Sequence, residues 1–224
     1  MTPDESLGNL LDARRSCRAY RPDPVPRSVI EAILRDAGRA PSWCNVQPWQ
    51  VHVVSGRRTG DFAAAMLAAC DSTAPQADYF YPMRYSGPRR ARAQDCAQRL
   101  HQALGIARRD TEARRRQLRE NYRFFGAPHV AVIACHRELG PYGTLDCGGF
   151  ITTFCLAAQA RGVASVPLAS IAYYAATVRQ FLHLEEDQLV LAAIAFGYGD
   201  ADHPVNGFRT GRAGLDELVT WHEE

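Results

Sequence analysis

The stretch A-P-S-W-C-N-V-Q-P-W-Q-V-H-V-V-S, residues 40–55, contains two segments of different character. Trp49–Val54 is short, rich in β-branched residues and followed by Ser55-Gly56, a pattern that predicts a buried strand. In the segment before it, Pro41 and Pro48 fix φ and remove amide donors, which excludes a regular helix or strand. The polar side chains between these prolines can bond to nearby backbone or to a ligand. The segment is therefore either a rigid loop that presents hydrogen-bonding groups to a bound molecule or an ordinary polar turn.

Length and composition indicate a globular protein. A chain of 224 residues can fill one core, as one domain or two small ones. No apolar run reaches the roughly 18–20 residues of a membrane span, and the N-terminus lacks the pattern of an export signal. Seven scattered cysteines without a C-x-x-C motif favour reduced thiols, and hence a cytoplasmic protein. The net charge of +2 does not by itself imply a polyanionic partner.

Hydrophobic periodicity predicts the remaining elements. The expected helices are Ser6–Ser16 (capped by Asp4 or Ser6), Pro26–Ala40, Arg57–Cys70, Leu145–Ala160 and one that runs through Val178–Leu182. The expected strands are His129–Cys135, a short one within Gly162–Ser170 that enters a small-residue turn, and Leu189–Phe196. Ser72–Pro88 has three prolines and four aromatic residues without a period, which favours an irregular substrate cover or a dimer contact. His129 and His136 are expected to be structural, and Asp200 and Asp202 to be turn residues and not metal ligands.

Arginine supplies every basic side chain, and two short clusters of it stand near the chain ends. The first is R-R-S-C-R-A-Y, residues 14–20, at a predicted helix end. Guanidinium groups donate in pairs to phosphate oxygens, and a serine hydroxyl adds a further donor. This cluster is either an anion site or a solvated basic turn. The second cluster is F-R-T-G-R, residues 208–212, in a glycine-rich polar stretch.

Residues 84–123 are strongly basic, with twelve arginines against four acidic residues, a local balance of +8. Nucleic-acid binding is one interpretation of such a run. The other is a packed helix with a solvated face, because apolar residues recur at helical spacing within it. That apolar stripe, which we expect to be buried, consists of Cys96, Leu100, Ala103, Leu104 and Ala107.

Three separated pieces occur in a specific order: R-R-S-C-R-A-Y, A-P-S-W-C-N-V-Q-P-W, and a glycine-ended strand followed by an arginine pair. This order resembles the FMN-dependent nitroreductase superfamily, in particular its bacterial nitroaromatic reductases. The resemblance covers essentially the whole chain and so implies a single domain, residues 1–224. It implies an α+β fold with a central, mostly antiparallel sheet flanked by helices. It also implies an intertwined homodimer in which one strand comes from the partner.

The resemblance implies a role for each matching residue. Those expected to hold the FMN phosphate and ribityl chain are Arg14, Arg15, Ser16, Arg18, Arg209 and Arg212. Those expected on the loop along the isoalloxazine ring, contributed by the partner subunit, are Pro41, Ser42, Trp43 and Asn45, with Gln47 orienting that loop. Those expected to face flavin N5 and O4 are Pro167, Leu168, Ala169 and Ser170. Substrate-facing positions are Trp43, Cys44, Tyr79, Tyr81 and Tyr85.

The implied activity is hydride transfer from NADH or NADPH, through FMN, to nitroaromatic or quinone acceptors by a ping-pong mechanism, with no catalytic side chain. Where many relatives carry an acidic residue beside N5, this chain has Ala169-Ser170, and Trp43-Cys44 stand where many have small residues. One alternative keeps FMN for a pathway-specific dehydrogenation or reductive dehalogenation. Two others are a cysteine-nucleophile enzyme built on Cys44 and a nucleic-acid-binding module built on Arg84–Arg123. The interpretation as an FMN-dependent reductase involves no nucleic acid, membrane or metal.

Overall fold

A computed structural model describes residues 2–82 and 84–223 and contains one four-stranded antiparallel sheet, in the order β1-β2-β4-β3. The strands are β1 Trp49–Ser55, β2 His129–His136, β3 Ala164–Leu168 and β4 Gln188–Gly197. The two long apolar runs, β2 and β4, occupy the centre of the sheet, as uninterrupted apolar sequence predicts for strands covered on both faces. The predicted strands and the antiparallel α+β architecture are confirmed. The expectation that Trp49–Val54 is buried was wrong: only Val54 of β1 is buried, because β1 lies at the edge of the sheet.

The described residues contain eight α-helices. They are α1 Pro3–Ala13, α2 Arg27–Ala37, α3 Arg57–Ser72, α4 Gly87–Ala103, α5 Thr111–Arg119, α6 Gly140–Gln159, α7 Ala175–Leu182 and α8 Leu215–Leu218. None of them is both long and apolar enough to cross a bilayer.

The core has two halves because successive side chains of a strand point to opposite faces. Val130 and Val132 of β2 pack with α3 and α7 on one face of the sheet. Ala131 and Ile133 pack with α2 and α6 on the other. The alternation explains why every residue of β2 up to Cys135 is buried.

The bounds or caps of four helices differ from the sequence prediction, and α3 extends to Ser72, two residues beyond the predicted end at Cys70. Helix α1 is capped by Thr2, not by Asp4 or Ser6, because Thr2 and Glu5 form a reciprocal pair of hydrogen bonds. Helix α2 ends at Ala37, since Gly38 closes it before Ala40. Helix α6 begins at Gly140, five residues before the predicted Leu145. Pro141 does not prevent this, because proline is tolerated in the first turn of a helix.

The expected buried stripe of α4 was wrong. No described residue of α4 is buried; Cys96, Leu100, Ala103 and Leu104 are half-buried, and Ala107 beyond the helix is exposed. The physical reason is that α4 does not pack on the sheet and instead forms a wall of several open clefts.

The irregular segment that follows α3 is tied to the sheet through Asp78. Both oxygens of its carboxylate accept from the Arg179 guanidinium, at 2.6 and 2.8 Å, and one also accepts the Val190 N–H at 2.8 Å. The Gln76 N–H donates to the Tyr173 carbonyl at 2.7 Å. Its described residues, 73–82 and 84–86, form no helix or strand, as predicted.

His129 is structural, as expected, and makes stability depend on pH. Its Nε2 accepts the Val25 N–H at 2.9 Å, which leaves Nδ1 as donor to Ser55 Oγ at 2.7 Å, and burial lowers the His129 pKa. An unfolded histidine takes up its proton near pH 6.5, above the folded pKa. The free energy of unfolding should therefore fall as pH drops below about 6.5, by up to about 1.4 kcal/mol per pH unit.

Urea unfolding on either side of that pH measures this dependence. The variant His129→Gln keeps an acceptor oxygen for Val25 but does not titrate, so its slope should be shallower. Equal slopes in the two proteins would contradict the assignment.

Candidate active site

The two arginine clusters at the chain ends meet in one cleft of about 280 Å³. The first cluster runs beside the start of β3, where the Cys17 N–H donates to the Ser165 carbonyl at 3.1 Å. The cleft is lined by Leu11, Asp12, Arg14, Arg15, Ser16, Arg18, Cys96, Phe208, Arg209, Thr210 and Arg212. All six residues expected to hold a phosphate thus lie in this lining.

A buried asparagine that the sequence analysis missed joins the two clusters. Asn206 is only 3% exposed. Its Oδ1 accepts the Arg18 N–H at 2.8 Å, and its Nδ2 donates to the carbonyls of Ala19 and Asp200, at 2.9 and 2.7 Å. The only hint in the sequence was a carboxamide between Pro204 and Gly207, which is typical of any turn.

The cleft carries a surplus of positive charge. Within residues 2–82 and 84–223, none of its five arginines has a carboxylate oxygen within 4.0 Å, although nine other arginines do. Burial lowers the pKa of Arg18, whose guanidinium lies 5.5 Å from the centre of the Phe208 ring. An uncompensated guanidinium cluster of this kind suits a phosphate monoester.

The small-residue turn after β3 leaves a polar group without a partner. Leu168 is buried and Ala169 begins a 3₁₀ turn that runs to Tyr173. Ser170 Oγ is buried and has no hydrogen-bond partner among the described residues. Leu168 lies three residues beyond Ser165, about 10 Å along the strand at 3.3 Å per residue. Because buried hydroxyls are normally bonded, Ser170 offers a hydrogen bond to a ligand.

Aromatic side chains from the irregular segment lie against the same turn. The Tyr81 ring stacks on Tyr173 with centroids 4.1 Å apart. Burial, and then the nearby hydroxyls of Tyr81 and Tyr85, raise the pKa of Tyr173. Tyr79 is held elsewhere, since its hydroxyl donates to the Gly140 carbonyl at 3.4 Å. Of the three tyrosines expected to face substrate, Tyr81 and Tyr85 are therefore near this turn.

The loop before β1 is closed on itself and exposed. Ser42 Oγ accepts the Gln47 N–H at 3.0 Å, and Gln47 Nε2 donates to the Asn45 carbonyl at 3.2 Å. Cys44, Asn45 and Gln47 have φ of 50°, 57° and 49°, a left-handed conformation that costs non-glycine residues energy. Such local strain is typical of loops that bind ligands or partners.

Two residues of α6 hold this loop, and the sequence analysis missed both. Asp146 Oδ2 accepts the Trp43 N–H at 3.0 Å, and the Trp43 ring meets Tyr142 edge-on with centroids 4.8 Å apart. Trp43 nevertheless remains 62% exposed. A lone carboxylate in the apolar sequence of α6 was the signal available for Asp146.

The loop does not reach the arginine cleft of its own chain. None of Pro41, Ser42, Trp43, Asn45 and Gln47 belongs to the lining of the cleft formed by the described residues. Cys44 is exposed and, within the same residues, makes no hydrogen bond to a histidine. One chain therefore assembles the arginines but leaves the strained loop apart from them.

Comparison with known proteins decides the family. A sequence profile described as the Nitroreductase family matches residues 11–198. The chain belongs to the nitroreductase family. Nitroreductase NfnB of Mycolicibacterium smegmatis is 40% identical over 216 residues, which is 96% of this chain and 92% of that protein. The 4-nitrobenzoate reductase of a Nocardioides species is 32% identical over 97% of this chain and 90% of its own length.

Solved nitroreductase structures match the fold over its whole length. The crystal structure of FMN-dependent NfnB from Mycobacterium smegmatis in complex with NADPH gives a TM-score of 0.94 at 38% identity, covering 99% of this chain and 100% of that one. FMN- and NADPH-dependent NfnB from a Sphingopyxis-type strain, HMH, gives 0.93 at 37% identity, covering 97% and 99%. The nitroreductase fold expected from the motif order is thereby confirmed.

Proposed function

We propose that this nitroreductase-family chain is an FMN-dependent oxidoreductase that uses NAD(P)H to reduce nitroaromatic or quinone-type acceptors by a ping-pong mechanism. The observation that carries the proposal is the cleft of five arginines, built from both ends of the chain, none of which pairs with a carboxylate of the described residues. The relatives support it, because the M. smegmatis protein is described as FMN-dependent and bound to NADPH. The Nocardioides protein is described as a 4-nitrobenzoate reductase.

The residues present fit FMN. Arg14, Arg15, Arg209 and Arg212 would bind its phosphate, with Ser16 and Arg18 toward the ribityl chain. The turn after β3 would meet the ring, where Ser170 Oγ is a buried group that lacks a hydrogen bond. When bound, FMN supplies a centre that takes hydride from the nicotinamide and passes it to the acceptor.

The protein's contribution is orientation and charge and not proton transfer. Neither the turn Pro167–Ser170 nor the loop Pro41–Gln47 contains an acidic, histidine or lysine side chain. Alignment of donor and acceptor supplies much of the rate, and arginines and backbone amides stabilise developing negative charge. Product protons come from water. Tyr81 and Tyr85, beside the turn, would form one wall of the acceptor pocket.

The functional unit is a homodimer in which the partner's loop completes each site. The strained loop lies outside the cleft of its own chain. Trp43 and Val46 of the loop and Tyr142 and Leu145 of α6 are apolar side chains that are 50–69% exposed. Leu215, Leu218 and Trp221 in the C-terminal arm are 63–71% exposed. Surfaces of this kind favour burial against another chain.

Sedimentation of the holoprotein tests the dimer. We expect a species near twice 24.8 kDa. Trp43→Glu places a charge on the apolar surface and should shift the species toward the monomer and release FMN together, whereas Arg27→Ala, at a surface arginine of α2, should not. A monomer that retains FMN would contradict this arrangement.

Cys44 is expected to be a packing residue of the loop and not a nucleophile. Cys44→Ser should keep kcat/KM within about tenfold, equivalent to roughly 1.4 kcal/mol. The rate of flavin reduction should show no sharp bell between about pH 6 and pH 8, because no general acid or base is required. Stopped-flow reduction by NADPH measures both. A loss of about a thousandfold with FMN still bound would show that the thiol takes part.

Oxidation of NADPH and NADH by the purified protein tests the function as a whole. The acceptors should include 4-nitrobenzoate, nitrobenzene and a benzoquinone. We expect yellow protein, acceptor-dependent oxidation, and parallel double-reciprocal plots. Yellow protein that turns over none of these acceptors would favour a pathway-specific flavin reaction, and colourless protein would remove FMN from the account.

A further inference from the structure

A groove lined by α4 connects with the arginine cleft. Three adjoining clefts of about 490, 740 and 530 Å³ form it, in that order along the helix. The first two share Gln94 and Ala97, and the last two share His101 and Arg114. The third is also lined by Arg18, which belongs to the phosphate cleft. The groove therefore ends beside the proposed FMN site, with Arg18 lining both.

The arginines of residues 84–123 fall into two groups. Five of the twelve form ion pairs with carboxylates, namely Arg92, Arg99, Arg116, Arg119 and Arg123. Those that line the two clefts farthest from Arg18 are Arg84, Arg90, Arg108 and Arg114. In the part of the chain that the structure describes, none of these four is within 4.0 Å of a carboxylate oxygen. The groove therefore exposes charge that the fold does not neutralise.

The middle cleft, the largest of the three, has the composition of a nucleotide phosphate site. Arg108 and Arg114, which follow α4 in the chain, both line it, and Arg114 Nη1 donates to the Arg108 carbonyl at 3.2 Å, which joins the two positions. Its other polar groups include the amides of Gln94, Gln98 and Gln102. Burial, and then the charge of Arg114, lower the pKa of His101, so its imidazole is neutral near pH 7.

The absence of acidic side chains from the described lining of the middle cleft points to a phosphorylated ribose as its ligand. No aspartate or glutamate is among the described residues that line the middle cleft. In dinucleotide sites, a carboxylate commonly accepts from the free 2′-hydroxyl of NADH, whereas arginine accommodates the 2′-phosphate of NADPH. Two unpaired guanidinium groups match the second chemistry.

We propose that the middle cleft binds the 2′-phosphoadenosine end of NADPH, with Arg108 and Arg114 on the 2′-phosphate and the glutamine amides on the adenine and ribose. The inference rests on the proposed function, because it assigns the donor end of the same electron transfer. It makes these two arginines the determinants of NADPH over NADH. The donor's other end would extend past Arg18 toward the turn after β3.

Titration of the FMN-loaded protein with adenosine 2′,5′-bisphosphate, ADP and 5′-AMP tests the site directly. The bisphosphate should bind about tenfold or more tightly than either of the others, because only it carries a 2′-phosphate. Arg108→Gln and Arg114→Gln should each remove most of that preference. Arg109→Gln is the matched control, since Arg109 adjoins Arg108 in sequence but does not line the cleft. Equal binding of ADP and the bisphosphate would overturn the assignment.

Steady-state kinetics separate this inference from the proposed function. Arg108→Gln and Arg114→Gln should raise KM for NADPH about tenfold or more, leave kcat unchanged, and leave both constants for NADH unchanged. If both variants keep the wild-type preference for NADPH over NADH while the protein still reduces its acceptors, the inference fails and the proposed function stands. If the bisphosphate binds through these arginines but neither donor reduces FMN, the function fails and the nucleotide site stands.

Discussion

Arg14→Ala or Arg209→Ala is expected to weaken FMN binding about 10–150-fold, the loss of one charge-assisted phosphate contact in either case. The two residues come from opposite ends of the chain and line the same cleft, so each should matter independently of the other. Titration of the apoprotein variants with FMN measures the effect by quenching of flavin fluorescence.

The matched control for these variants is Arg27→Ala. Arg27 is a surface arginine paired with Glu31 on α2, at 2.8 Å, and its loss should leave FMN affinity unchanged. Unchanged affinity in both Arg14→Ala and Arg209→Ala would remove the phosphate assignment. A loss confined to one of them would mean that the two clusters do not share a phosphate.

Asp78→Ala is expected to lower the free energy of unfolding by about 3–5 kcal/mol. Its carboxylate is 9% exposed and the Arg179 side chain 22%, so removal of Asp78 leaves a largely buried guanidinium without a counter-charge. The Val190 N–H in the central strand β4 loses its acceptor at the same time. Urea unfolding measures the change.

A double-mutant cycle with Arg179→Met identifies the cause of that loss. The double variant should be more stable than Asp78→Ala alone, because it no longer buries an unpaired charge. Surface variant Arg27→Ala should change stability by less than about 1 kcal/mol. A loss below about 1 kcal/mol in Asp78→Ala would show that the pair contributes no more than a surface ion pair.

The sequence predicted the centre of the fold well because local pattern and burial agree there. β2 and β4 are apolar apart from polar residues at their ends, and such runs have few places other than the middle of a sheet. Errors arose where proline and glycine can either interrupt a helix or occupy its first turn. Gly140-Pro141 lies outside the predicted helix Leu145–Ala160 and is instead the first turn of α6.

The site could be predicted only as far as its motifs extend. The arginine clusters were recognisable because their residue types are unusual, and they do meet. Asn206, Asp146 and Asp78 were missed, because a single polar residue does not reveal in sequence which distant backbone group it will bond. The groove along α4 was missed for a related reason: ion pairing, which the sequence does not show, separates its free arginines from the paired ones.

The most direct test of the account is anaerobic stopped-flow measurement of flavin absorbance in two successive mixings. The first mixes holoprotein with NADPH, and the second mixes the reduced protein with 4-nitrobenzoate. We predict that the absorbance is bleached in the first and restored in the second, at rates that account for steady-state turnover. Absorbance that neither NADPH nor NADH bleaches, in protein that retains FMN, would contradict the account.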